Sequence, residues 1–151
     1  MNPPATAGDE FDKRLRRGAV LRLTLDKTTL DDPEIDKRSK YVIVVSALLP
    51  DEHVWFIVCT SKTQHFENNP KFANDILRWM PGEYPWCKTI VTVVDCTVVY
   101  KLPMMKLKEL YANGQLAFSG DLRPAHLARI DAIMKASIFL SPEDKRWVVP
   151  W

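Results

Sequence analysis

A chain of 151 residues with 46% hydrophobic and 26% charged side chains has the composition of one globular domain, and its net charge of +2 is too small to mark a nucleic-acid binder by charge alone. The longest apolar runs, Tyr41 to Val45 and Val54 to Cys59, fall far short of the roughly 18–20 residues that cross a bilayer, so no membrane span is expected. Cys59, Cys87 and Cys96 make an odd number without C-x-x-C spacing, which fits reduced thiols better than a disulfide framework or a zinc site; no metal and no cofactor are expected.

Residues 1–16 carry Pro3, Pro4 and Gly8 without hydrophobic periodicity and read as a flexible leader to a single domain over 17–151. The leader has no apolar centre of the kind a secretory signal needs, which makes the cytoplasm the default location. From Gly18 the pattern changes: AVLRLTL sets Val20, Arg22 and Thr24 against Leu21, Leu23 and Leu25, the alternation of a strand with one buried face. The segment DKTTLDDPEIDKRS follows as a long exposed loop, acidic at Asp31, Asp32 and Glu34 and basic at Lys37 and Arg38. Two β-branched runs, YVIVVSAL and VWFIVCT, are joined through Pro50 and Asp51 and predict an antiparallel hairpin.

Beyond them, Phe72, Ile76, Leu77 and Met80 suggest a short helix ended by Pro81, Gly82 and Pro85. KTIVTVVDCTVVYKL is broken at Asp95 and Cys96 and predicts two short strands or one bent one. Pro103 opens a helix carrying Leu107, Leu110 and Tyr111 on one side, and Gly114 closes it. Asp121 is the expected N-cap of a final amphipathic helix whose stripe, Leu127, Ile130, Met134 and Ile138, should lie on the sheet. Five strands followed by two helices describe a small barrel or strongly curved sheet with helices packed outside, in the α+β class.

The chemistry-bearing stretch is VWFIVCTSKTQHF, residues 54–66. Its apolar half belongs in a core, and Thr60, Ser61, Lys62, Thr63, Gln64 and His65 follow as a dense polar row. His65 carries the side chain best suited to passing protons and is a natural proton shuttle, although a lone loop histidine is more often plain surface. Cys59 and His65 could pair as nucleophile and base, but a thiol inside an apolar run is expected to be inert. His53 falls in a turn and His126 on a charged helix surface. Trp79, Trp86, Trp147 and Trp151 are expected to plug a core edge or an interface rather than stack bases.

Four places taken together resemble the PemK/MazF family of toxin ribonucleases: the opening strand at Gly18-Ala19-Val20, the strand Lys40-Tyr41-Val42-Ile43-Val44-Val45-Ser46, the strand end Thr60-Ser61, and the step Gly114-Gln115-Leu116 before an amphipathic helix. The resemblance spans roughly residues 17–140, and Ala19, Tyr41 and Lys40 stand where the family has an acid, a proline and an arginine. It implies a small SH3-like, PemK/MazF-type curved antiparallel β-barrel with two or three helices packed outside. It further implies a metal-independent endoribonuclease that cleaves single-stranded RNA, acts as a homodimer and is silenced by an antitoxin protein. By residue match, Lys40 neutralises the scissile phosphate and Thr60 donates a hydrogen bond to it. Arg38, one strand period from Lys40, is a substitute guanidinium, with His65 the proton shuttle. Lys37, Ser61 and Lys62 would bind the RNA backbone. A non-catalytic SH3-like module holding a protein or nucleic acid at the same rim is the alternative.

Overall fold

The computed structural model describes residues 7–25, 38–47, 52–61, 63–87 and 91–150. The expected α+β class is what forms. β1 (Ala19–Leu25), β2 (Arg38–Val44), β3 (His53–Thr60), β4 (Ile76–Trp79), β5 (Thr92–Pro103) and β6 (Leu116–Asp121) make one six-stranded sheet in the order β4-β5-β3-β2-β1-β6, and each pairing is antiparallel. Among the described residues no helix is long and apolar enough to cross a membrane.

Both faces of the sheet are covered, which is why its central strands read as unbroken apolar runs. On one face Leu21, Leu23, Val42, Val44, Val54 and Phe56 pack with Phe11 in the middle of helix α1 (Ala7–Arg14), and with Leu107 and Leu110 of α3 (Met104–Ala112). On the other, Val20, Ile43, Ile57 and Val94 meet Ile130 and Met134 of α4 (Pro124–Ala136) and Val148 of α5 (Pro142–Val148). Successive residues of a strand point to opposite sides, so each central strand feeds both layers. Arg17 ties the second layer to β1's approach by pairing with Asp131 and donating to the Val148 carbonyl at 2.9 Å.

Several sequence expectations change here. The leader expected over 1–16 is helical from Ala7, and Phe11 is fully buried against Tyr111 and Phe118, with ring centroids 5.5 and 5.8 Å away. Among the described residues Phe11 and Leu15 carry that contact, too few to give the segment a visible period. In place of the helix expected around Phe72–Met80 stand the 3₁₀ helix Pro70–Asp75 and strand β4, preceded by the short helix α2 (Gln64–Glu67). Ile76, Leu77 and Trp79 are apolar under either period, and the open edge of β5 selects the strand.

Asp121 does not cap a helix. It ends β6, a strand that the Gly114-Gln115-Leu116 step leads into, and its carboxylate takes both arms of the Arg16 guanidinium at 2.9 and 2.7 Å. α4 starts later, with Pro124 in its first turn. Ile130 and Met134 lie on the sheet as expected, whereas Ile138 is 87% exposed because the helix has already ended. α5 is capped by Ser141, whose hydroxyl accepts from the Asp144 backbone at 3.0 Å. β5 is the bent strand anticipated at Asp95: the register shifts between Phe56 and Val58, and the Asp95 carboxylate holds the bend by accepting from Thr97 N and Oγ1.

Candidate functional site

Because β2 and β3 run antiparallel, the start of one and the end of the other reach the same rim. Val42 pairs with Val58, Ile43 with Ile57 and Val44 with Phe56. Carried two residues further, that register sets Lys40 opposite Thr60, on strands about 4.8 Å apart. Val42, Val44, Phe56 and Val58 all belong to the layer under α1 and α3, so by strand alternation Lys40 and Thr60 end the same face. Both are half-buried. The apolar half of VWFIVCT is therefore the anchor of β3, and the polar residues begin where the core stops.

Arg38 lies in β2 with its backbone paired to Leu25, one strand period from Lys40. Ser61 is exposed immediately after β3. Lys37, Lys62, Asp31, Asp32, Glu34 and Trp151 lie outside the described residues. His65 sits on α2, exposed, with its ring 5.3 Å from Phe72 and 5.0 Å from Phe66. Phe66 and Phe72 cover Val93, the residue paired with Thr60, so the aromatic cluster that carries His65 rests beside the rim.

Cys59 is not part of this group. It points to the opposite face of β3 from Thr60, into the layer of α4 and α5, and burial pushes its thiol well above the ordinary range. Cys96 is raised for the same reason, and all three cysteines are buried. Among the described residues no three His, Cys, Asp or Glu side chains are grouped to hold a metal ion. Trp79 is buried in the core and Trp86 stacks on Tyr41 at 4.9 Å, while Trp147 stacks on Trp55 at 6.3 Å.

A second cluster lies away from the rim, and the surface reading of His126 missed it. His126 is half-buried and stacks on Trp79, ring centroids 5.0 Å apart. Its Nδ1 is 2.7 Å from the Tyr84 hydroxyl, which accepts from the Arg123 backbone N–H at 3.0 Å. The Tyr84 hydroxyl and Nδ1 therefore share one short hydrogen bond. Nε2 faces Glu83 Oε1 at 3.5 Å, and Arg123 pairs with that same carboxylate. Desolvation and the nearby Arg123 hold His126 below the usual imidazole range. The sequence signal was R-x-x-H-x-x-R over residues 123–129, a three-residue spacing that keeps these groups on neighbouring faces of one helix.

No family model matches the chain, and no relative is found among curated proteins.

Proposed function

We propose that this chain is a toxin-like endoribonuclease that cleaves single-stranded RNA without a metal ion, within a PemK/MazF-type SH3-like barrel that works in the cytoplasm as a homodimer beside an antitoxin protein. The support is one juxtaposition: Lys40 and Thr60, the two positions matched to the family's phosphate contacts, fall opposite each other on one rim when the β2–β3 register is continued.

In this reaction the RNA 2′-hydroxyl loses its proton and attacks the adjacent phosphorus. The bond to the departing 5′-oxygen breaks, that oxygen takes up a proton, and a cyclic phosphate and a 5′-hydroxyl result. Lys40 offsets charge building on the phosphate and Thr60 donates to one of its oxygens, both held by a buried ladder that leaves them little freedom. His65 is the shuttle that removes and returns the proton. Lysine presents a point charge where arginine would present a rigid fork, so Arg38 is the residue that supplements phosphate orientation.

Incubating the purified chain with single-stranded RNA in chelator-containing buffer tests the assignment. Fragments ending in cyclic phosphate are expected, and Lys40→Ala and Thr60→Ala should each lower kcat by about 10²-fold. Lys40→Arg should retain activity. RNA that is bound but left intact would instead favour the non-catalytic module, and cleavage unchanged in both alanine variants would overturn the residue assignment.

A further inference from the structure

β4 is the last strand on its side of the sheet. β5 pairs with one of its edges, and among the described residues no other backbone group bonds to residues 76–78. A cleft of about 360 Å³ lies along the free edge. Residues 76–80 line it in unbroken succession, and Glu83, His126 and Arg129 close it from the turn after β4 and from α4. Side chains alternate along a strand, so what five consecutive residues share is the backbone edge itself.

The same alternation sorts the charges. Arg78 pairs with Val93 and shares its face, the one covered by Phe66 and Phe72, whereas Trp79 turns to the other face and stacks on His126 of α4. Arg78 and Arg129 therefore flank the edge from opposite faces of the sheet. Both are exposed, and neither makes an ion pair among the described residues. Glu83, the acid lining the cleft, is already paired with Arg123. Met80, 62% exposed, adds apolar surface at the end of the strand.

We infer that the free edge of β4 takes up an extended acidic peptide as an additional strand, bonded along the β4 backbone and carrying one carboxylate toward Arg78 and the next toward Arg129. An added strand places consecutive side chains on opposite faces, as β4 does, so neighbouring acidic residues answer the two guanidinium groups. Acids two residues apart fall on one face and meet one of them. A second copy of this chain is the poorer occupant, because antiparallel pairing of two β4 strands sets Arg78 on the same face as its counterpart, like charge beside like charge. Cations that guard the edge against self-pairing thus select an acidic strand. Nothing at this edge depends on the ribonuclease activity proposed above.

NMR on the full ¹⁵N-labelled chain tests this with a blocked octapeptide of β-branched residues that carries two adjacent glutamates at its centre. Saturable shifts of the amides of residues 76–80 are expected, together with slowed hydrogen exchange at the outward N–H groups of β4. Arg78→Ala and Arg129→Ala should each weaken binding about threefold, the scale of one exposed ion pair. An isomer of the same composition with its glutamates two residues apart should lose about the same factor. Backbone N-methylation along the peptide edge that meets β4 should abolish binding, since it removes the strand hydrogen bonds and keeps every charge.

Equal binding by the N-methylated peptide or by the spaced isomer, or no shift of residues 76–80, overturns the inference. Shifts of β4 that follow the concentration of the chain alone assign the edge to a second copy and overturn it as well. An uncleavable 2′-O-methyl RNA that moves these amides as the peptide does would overturn the ligand class. Each outcome reads the same whether or not the chain cuts RNA, so failure here leaves the ribonuclease proposal standing, and absence of cleavage leaves the peptide site standing.

Discussion

The Tyr84 hydroxyl lies 2.7 Å from His126 Nδ1, so one phenol ties the turn after β4 to the first turns of α4. Tyr84 is only 7% exposed and also receives the Arg123 N–H at 3.0 Å. Tyr84→Phe keeps the ring and removes both hydrogen bonds. Leaving a part-buried amide and an imidazole nitrogen without this partner should cost about 1 kcal/mol in urea denaturation. The same change should remove the hydrogen-bond partner of His126 Nδ1, which imidazole ¹⁵N shifts would record.

Gly18 has φ of +89°, and a Cβ placed on it would stand 3.1 Å from Leu127 Cδ2. Its amide also donates to the Val44 carbonyl at 2.8 Å, and its carbonyl accepts from Leu122 N, so the backbone there has no room to relax. Gly18→Ala is expected to destabilise the chain by about 1–2 kcal/mol through backbone conformation alone. Leu127→Ala in the same background should not restore that loss, since it removes the crowding and leaves the dihedral strain. A lowered Tm for Gly18→Ala would check the first claim, and full rescue by the second substitution would refute the second.

Phe11 fills the layer between the sheet and α3, although sequence alone assigns it to a leader. Phe11→Ala should cost about 3–5 kcal/mol, as for a large buried aromatic side chain elsewhere. A chain beginning at Arg17 should show a comparable loss. Denaturant midpoints that stay at the wild-type value for both would show that the N-terminal helix contributes nothing to the fold.

Asp121 and His126 both set how stability responds to acid. The Arg16 hydrogen bond holds the Asp121 carboxyl below the usual carboxylate range, and desolvation holds His126 below the usual imidazole range. In both cases the unfolded chain binds more protons, so stability rises with pH across those ranges and is lost as pH falls. His126 acts first, just below neutrality, and Asp121 in stronger acid. Arg16→Ala should flatten only the lower part of the profile, and His126→Gln only the upper part, in denaturation midpoints measured against pH.

Hydrophobic pattern alone determined the central strands, the bent β5, the inert thiols, the helix after Pro103 and the Ile130–Met134 contact, because each depends on neighbours close in the chain or on burial that needs no named partner. YVIVV and VWFIVC are unbroken because both sides of the sheet are covered, and that leaves a plain mark in sequence. β4 and β6 left no such mark: four or six residues of mixed pattern become strands only when β5 and β1 offer them open edges. Asp121 looked like a cap until Arg16, far away in the chain, was brought against it. Lys40 opens one apolar run and Thr60 closes the next, and the antiparallel β2–β3 register, continued outward, sets them opposite each other. The cluster of Tyr84, Arg123 and His126 left no such mark, since Tyr84 meets His126 across 42 residues of chain, and only folding makes them neighbours.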